Sequence, residues 1–149
     1  MAGTLIGTPG YVTPVEYSAH TTFWQFDMGK SEYQISIQPG YVLVERAQDY
    51  EVVLSEQPAM LMAISASCKE SGCRKVLILG PRTKVRLSVQ NVFDLGQEIA
   101  KLGLRIAVVE SHDAPNENER FLENVATNRG GPIQFFDNEQ HAKDWLGIT

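Results

Sequence analysis

Short apolar runs alternate with segments of helical spacing along most of this chain. Residues 76–79 and 106–109 are continuous apolar runs, as expected for strands that are covered on both faces of a parallel sheet. Residues 133–136 predict a last strand. Apolar residues recur at helical spacing over residues 88–102, 121–126 and 142–146. The pattern predicts strands and helices in alternation.

The part of the chain before residue 76 predicts a hairpin followed by a helix. Apolar and polar residues alternate over residues 33–37, and a second strand at residues 41–44 follows the Pro-Gly pair at residues 39–40. A helix is expected to begin near residues 55–58 and to end at Gly72, because glycine accepts the left-handed conformation that follows many helices. The buried stripe of this helix is predicted to consist of Met60, Leu61, Ile64 and Cys68.

These elements predict an α/β fold with the order β-β-α-β-α-β-α-β-α. Strands that alternate with helices favour a mostly parallel central sheet with helices packed against it, in one domain over residues 31–149. Ser88 is expected to cap the helix that follows the central strand. Asp137, with Gln140 three residues later, is expected to start the last helix in a capping box.

Residues 1–30 are predicted to form an irregular N-terminal arm. Pro9-Gly10 and Thr13-Pro14 interrupt regular structure there, and the arm ends in an aromatic cluster. Large aromatic side chains are costly to leave in water, so the cluster either covers the domain's own core or packs on a second subunit. The second alternative makes the chain a homodimer. The candidate interface residues are Phe23, Trp24 and Phe26.

Composition and charge limit the classes of partner. The 149 residues include 43% hydrophobic and 21% charged side chains, which is typical of a folded soluble domain and argues against disorder. Thirteen basic and eighteen acidic residues give a net charge of −5, so general binding to nucleic acid is not expected. No apolar run approaches a membrane span of ~20 residues, and no secretory signal is recognised at the N-terminus. A cytoplasmic protein is expected.

Two cysteines, Cys68 and Cys73, are separated by four residues. This spacing is neither a Cys-x-x-Cys redox motif nor half of a zinc site, since no second Cys/His pair follows at ligand spacing. The sequence predicts two reduced thiols near the end of a helix.

The loop after the central strand is the first candidate for a binding site. It carries Arg82, Lys84 and Arg86 in an otherwise acidic protein, and it leads to the expected helix cap at Ser88. Ligands of open α/β sheets bind beyond the carboxyl ends of strands, and helix N-termini attract anions, so a phosphate is favoured here. The alternative is that these charges keep an exposed segment solvated.

Several familiar kinds of active site do not fit the sequence. The P-loop motif and the glycine-rich dinucleotide fingerprint are absent, and no cofactor is predicted. The carboxylate that a phosphoryl-accepting receiver domain needs at the end of its central strand is replaced by Leu79-Gly80. A triad of Ser88, His112 and Asp113 is disfavoured, because adjacent His and Asp side chains seldom align as a relay and no nucleophile elbow is present. The three histidines are too scattered to predict a metal site.

Four features together resemble a known family. They are the order of elements, the strand-loop-helix at residues 75–94, the helix end at residues 125–130, and the Phe135-Phe136-Asp137 run followed closely by Ala142, Trp145 and Leu146. From about residue 33 to residue 147 the chain is similar to the bacterial SpoIIAA-like group of STAS-type domains. That group is related in fold to anti-sigma-factor antagonists and to lipid-binding CRAL-TRIO (Sec14-like) domains.

The resemblance implies a non-enzymatic regulatory module that binds a protein partner. In antagonists of this family the helix after the central strand begins near a phosphorylatable serine, usually with an aspartate at the strand end. Ser88 is the nearest match to that serine and Thr83 is the second, while Gly80 stands where the aspartate is expected. The CRAL-TRIO relation implies the alternative function, which is binding of a lipid or another small apolar or anionic ligand.

Overall fold

The computed structural model describes the backbone of residues 11–18, 21–27, 32–81, 87–110 and 115–148, with side chains from residue 32 onward in those ranges. The strands are β1 (Tyr11–Ser18), β2 (Thr21–Asp27), β3 (Tyr33–Gln38), β4 (Tyr41–Arg46), β5 (Lys75–Gly80), β6 (Arg105–Glu110) and β7 (Ile133–Phe136). The helices are α1 (Gln57–Ser71), α2 (Val89–Lys101), α3 (Glu117–Asn128) and α4 (Glu139–Leu146), and a 3₁₀ turn at Leu54–Glu56 precedes α1.

The strands of the single described sheet lie side by side in the order in which they occur along the chain. Strands β1 to β4 pair antiparallel, and β4 to β7 pair parallel. The α/β class is therefore confirmed, whereas the expectation of a mostly parallel sheet is wrong. The sheet is mixed, because its first half is built from consecutive short connections that only antiparallel strands can make.

Two strands, β1 and β2, occupy the stretch that the sequence pattern assigned to an irregular arm. The elements from β3 to α4 follow one another as predicted, but the predicted order is wrong for the chain as a whole because β1 and β2 precede them. Pro14 had argued against a strand, yet it lies on β1, at the end of the described sheet. A strand at a sheet edge tolerates proline, since one of its sides makes no ladder hydrogen bonds.

Helices cover the two faces of the sheet unequally. The larger core packs α1, α2 and α3 on one face, against the side chains of Ile35, Val44, Val76, Ile106 and other residues of the same face. The smaller core packs α4 on the opposite face, where Ala142 and Leu146 contact the side of the sheet that carries Leu77 and Ala107. Successive side chains of β5 and β6 point to opposite faces and supply both cores, which is why the middle of each of these strands is a continuous apolar run.

Helix α2 packs closely against α3 through a glycine. A Cβ atom added at Gly96 would lie 2.7 Å from a methyl carbon of Val125, so only glycine permits this approach. The side of α2 that faces α1 carries the large side chains of Leu95 and Leu102 rather than a glycine. The two neighbours of α2 therefore lie at different spacings, and an open groove remains between α1 and α2.

Most of the predicted helix ends are confirmed. Gly72 follows α1 with a φ of 71°, and the Ser88 hydroxyl caps α2 by accepting the N–H of Asn91 at 3.1 Å. The predicted start of the last helix at Asp137 is wrong, because Asn138 caps α4 by accepting the N–H of His141 at 2.8 Å. None of the helices in the described part of the chain combines the length and the apolar character that crossing a bilayer requires.

Candidate functional site

The carboxyl ends of the three neighbouring strands β4, β5 and β6 carry Arg46, Gly80 and Glu110. Gly80 and Glu110 are register partners, and Arg46 follows directly after the residue that pairs with Leu79. The three residues therefore lie in one row across the edge of the sheet where ligands of open α/β sheets commonly bind.

A buried ion pair spans this row. Arg46 Nη1 donates to Glu110 Oε2 at 2.9 Å, and the two side chains are only 11% and 6% exposed. The guanidinium carbon also lies 4.7 Å from the centroid of the Tyr50 ring. Gly80 makes the pair possible, because a Cβ atom at that position would lie 2.6 Å from the Cβ of Arg46. The positive charge of Arg46 is therefore neutralised by the buried carboxylate of Glu110.

The start of α2 lies beside this row. Ser88 is exposed and its hydroxyl caps the helix, while the carbonyl oxygen of Leu87 accepts a hydrogen bond from Asn118 Nδ2 of α3 at 3.2 Å. Arg82, Thr83, Lys84 and Arg86 lie outside the described residues. The anion site and the phospho-switch at this loop stay predictions.

A small hollow lies between the ion pair and the first turn of α3. Its volume is about 100 Å³, and its lining includes Arg46, Gln57, Glu110, Asn118 and Leu122. Such a volume admits a few water molecules and is too small for an acyl chain. This hollow is therefore not a lipid-binding cavity.

The groove between α1 and α2 is larger and apolar. Its volume is about 460 Å³. The apolar lining consists of Leu54, Pro58, Leu61, Met62, Leu95 and Leu102. Met62 is 67% exposed and Leu54 is 40% exposed, so the groove presents apolar side chains to solvent rather than enclosing them. Contiguous exposed apolar surface of this kind marks interaction sites more often than scattered single residues do.

Charged side chains of α2 border the groove on one side. Asp94 and Glu98 are exposed at its rim, and Lys101 follows one turn later. Lys101 Nζ lies 3.1 Å from Glu98 Oε1, with both side chains more than half exposed. The side contributed by α1 and the preceding turn is apolar except for Gln57. The groove thus has an apolar floor, one apolar wall and one wall with a net negative charge.

The predicted site residues are only partly brought together. Phe23, Trp24 and Phe26 lie on β2, whose backbone pairs with β3, and their side chains lie outside the described ones. Whether they form a dimer interface stays a prediction. Of the disfavoured triad, Ser88 is described, whereas His112 and Asp113 lie outside the described residues.

Sequence reasoning missed both the ion pair and the groove. A signal for the pair was present, because Arg46 and Glu110 are opposite charges at the ends of two strands on either side of a strand that ends in glycine. The groove has a weaker signal in Met62, an apolar residue off the predicted buried stripe of α1. Its existence depends on the spacing of α1 and α2, which no local pattern encodes.

No group of three or more His, Cys, Asp or Glu side chains that could hold a metal ion occurs in the part of the chain that the structure describes. Comparisons with protein-family models, curated proteins and solved structures found no match to this chain.

Proposed function

We propose that this protein is a non-enzymatic regulatory module, of the STAS/SpoIIAA-like kind that its sequence resembles, and that it binds a protein partner in the groove between α1 and α2. The observation that carries the proposal is the exposure of Met62 and Leu54 in a continuous apolar groove of about 460 Å³. Methionine is common on surfaces that receive partner side chains, because its unbranched chain adapts to the shape that it meets.

The occupant is an amphipathic helix that carries basic residues along one flank. A groove between two helices suits the apolar face of a third helix. The carboxylates of Asp94 and Glu98 border one side of the groove, so lysine or arginine on the corresponding flank of the partner is favoured. The net charge of −5 on the whole chain acts in the same direction by attracting a basic partner.

A designed helical peptide tests this proposal, with leucines on one face and lysines on one flank. Its binding to the isotope-labelled protein is followed by NMR chemical shifts of the backbone amides. Shifts are expected along residues 54–62 and 91–102. Met62→Ser should weaken binding about tenfold, since burial of a methionine side chain contributes roughly 1.5–3 kcal/mol.

Val89→Ser provides the matched control for the methionine variant. Val89 is 68% exposed, as exposed as Met62, but it does not line the groove, so its replacement should leave the affinity unchanged. A peptide with glutamates in place of the lysines should bind more weakly. Equal loss of affinity in both serine variants, or shifts confined to other elements, would contradict the proposal.

Binding of a small apolar ligand is the second candidate function. The groove volume of about 460 Å³ lies within the range of roughly 300–1,000 Å³ that is typical of small-molecule sites, which favours this alternative. Palmitate serves as the probe in the same NMR titration. Saturable shifts of the groove amides with palmitate, together with no response to the lysine-flanked peptide, would select the ligand-binding function over the interaction module.

A further inference from the structure

The two cysteines lie at the two ends of one helix-terminating motif. Gly72 follows α1 in the left-handed conformation, and the N–H of Cys73 donates to the carbonyl oxygen of Cys68 at 3.1 Å. This six-residue loop is the Schellman motif, in which the side chains at its two ends meet. Here those two side chains are both thiols.

Backbone geometry is compatible with a disulfide between the two residues. With standard bond lengths, a 3.1 Å hydrogen bond from Cys73 N to Cys68 O limits the separation of the two Cα atoms to at most about 7 Å. A disulfide needs Cα atoms roughly 4.4–6.8 Å apart. Cys68 belongs to the larger core and Cys73 packs against the same core, so both side chains point to one side of the loop.

The two thiols differ in their access to solvent. Cys68 is buried, and burial, together with the neighbouring Cys73 thiol, raises the pKa of Cys68 to about 12. Cys73 is half-buried, and its sulfur lies 3.1 Å from the hydroxyl oxygen of Ser71. A reagent in solution therefore reaches Cys73 first, and Cys68 is placed to react second.

We propose that Cys68 and Cys73 form a modification site, a dithiol that converts reversibly to a disulfide by exchange with a small-molecule disulfide of the glutathione class. The reduced form is the one that the sequence predicts and that the structure contains. The oxidised form links the last turn of α1 to the residues that lead into β5.

The exchange proceeds in two steps that balance. The Cys73 thiol gives its proton to solvent, its thiolate attacks one sulfur of the small disulfide to form a mixed disulfide, and the small thiolate that leaves takes up a proton from solvent. The sulfur of Cys68 then attacks the Cys73 sulfur, a second small thiolate leaves, and the proton of Cys68 ends on that leaving thiol. In sum, two protein thiols are oxidised and one small disulfide is reduced to two thiols.

The motif determines how favourable the disulfide is. In an unfolded chain the two sulfurs meet only as often as a flexible six-residue segment closes, whereas in the folded protein the hydrogen-bonded loop holds them together. The equilibrium constant for oxidation by glutathione disulfide should therefore be at least about tenfold larger for the native protein than for the same protein in urea. A closed thermodynamic cycle requires the oxidised protein to be the more resistant to urea.

Glutathione redox buffers of graded ratio test the proposal on the full chain, with and without urea. After acid quenching and alkylation, mass spectrometry separates the dithiol, the mixed disulfide and the intramolecular disulfide, and a peptide digest identifies the Cys68–Cys73 link. Cys68→Ala is the control, since it should accumulate the Cys73 mixed disulfide alone. The proposal would be overturned if the wild-type protein kept two alkylatable thiols or ended as a mixed disulfide. It would also be overturned if the equilibrium constant for oxidation were no larger in the native state than in urea.

Discussion

Arg46 and Glu110 form an ion pair that joins the ends of two strands that are not neighbours. The Nη1 to Oε2 distance is 2.9 Å, and the pair passes over Gly80, the last residue of the strand between them. One charge comes from β4 and the other from β6. The pair therefore joins two strand ends across a third at the edge of the sheet, where the start of α2 also lies.

Glu110→Gln should destabilise the protein by about 3 kcal/mol. The substitution leaves the charge of Arg46 buried without a counter-charge, and loss of one partner of a buried pair is much more costly than the net contribution of the pair itself. Urea unfolding at neutral pH measures this change. For the same reason, Arg46→Met combined with Glu110→Leu should recover most of the lost stability.

Glu98→Gln is the control for that measurement. It breaks the pair with Lys101, in which both side chains are more than half exposed, and should change the free energy of unfolding by at most about 0.5 kcal/mol. A similar loss for Glu110→Gln and Glu98→Gln would show that the buried pair has no special energetic role.

Gly80→Ala should destabilise the protein by roughly 1–3 kcal/mol for a steric reason. The added Cβ would lie 2.6 Å from the Cβ of Arg46, which is closer than two carbon atoms can approach, so the arginine must move. Movement of Arg46 weakens its hydrogen bond to Glu110. The same substitution in the Glu110→Gln background should therefore cost less, and strict additivity in a double-mutant cycle would contradict this coupling.

Glu123 should make stability fall as pH rises from the ordinary pKa of a glutamate through the raised pKa of this side chain in the folded protein. Burial raises the pKa of this carboxyl, an effect that is partly opposed by the hydrogen bond at 2.7 Å from the N–H of Phe135. At pH values between the pKa of the unfolded state and that of the folded state, the native protein binds more protons than the unfolded chain. The contribution of Glu123 to stability is therefore complete below the unfolded pKa, and it is lost as pH rises through the folded pKa. Urea unfolding of wild type and Glu123→Gln at a series of pH values measures the difference.

Relative to wild type, the free energy of unfolding of Glu123→Gln should increase as pH increases from about 4 to 7. A constant difference over that range would argue against a raised pKa. The carboxyl carbon chemical shift of Glu123 reports the same titration directly by NMR.

Ser88→Ala should cost about 1 kcal/mol of stability. The substitution removes the hydroxyl that accepts the N–H of Asn91 at the start of α2. Ser88→Asp should restore most of that loss, because a carboxylate accepts the same hydrogen bond and its charge is favourable at a helix N-terminus. Equal melting temperatures for wild type and Ser88→Ala would show that the cap contributes nothing.

The homodimer that the aromatic cluster predicts is tested by deletion of residues 1–28. If Phe23, Trp24 and Phe26 pack on a second subunit, sedimentation velocity should change from dimer to monomer on deletion. The deletion also removes the pairing of β2 with β3, so thermal unfolding is measured in parallel. A wild-type monomer, or a dimer that persists while the melting temperature drops, would select the alternative in which the cluster covers the domain's own core.

The sequence predicted the elements whose patterns are local. Four-residue apolar runs located the parallel strands β5 and β6, and Gly72 and Ser88 located helix ends, because each depends on neighbours within a few residues. The start of α4 was misplaced by one residue, since Asp137 and Asn138 are both good caps and the choice between them depends on where the strand before them ends.

Features that depend on packing between distant segments are not encoded in local patterns. Pro14 and the glycines nearby suggest irregular structure, whereas β1 and β2 pair with each other and β2 pairs with β3. Likewise, the groove depends on how α1 and α2 are spaced, whereas Gly96 allows α2 to pack closely on α3. The pair of Arg46 and Glu110 joins residues 64 positions apart, beyond the reach of any periodicity.

The sheet order has a consequence for how the chain folds. Each strand of the described sheet pairs with the strand that precedes it in sequence, so no strand has to be inserted between two that are already joined. Every pairing step closes only one short connection or one helix, and such closures are rapid compared with the association of remote segments. The sheet can thus grow from one end to the other while the polypeptide is still being synthesised, with each new strand adding to an edge that is already in place.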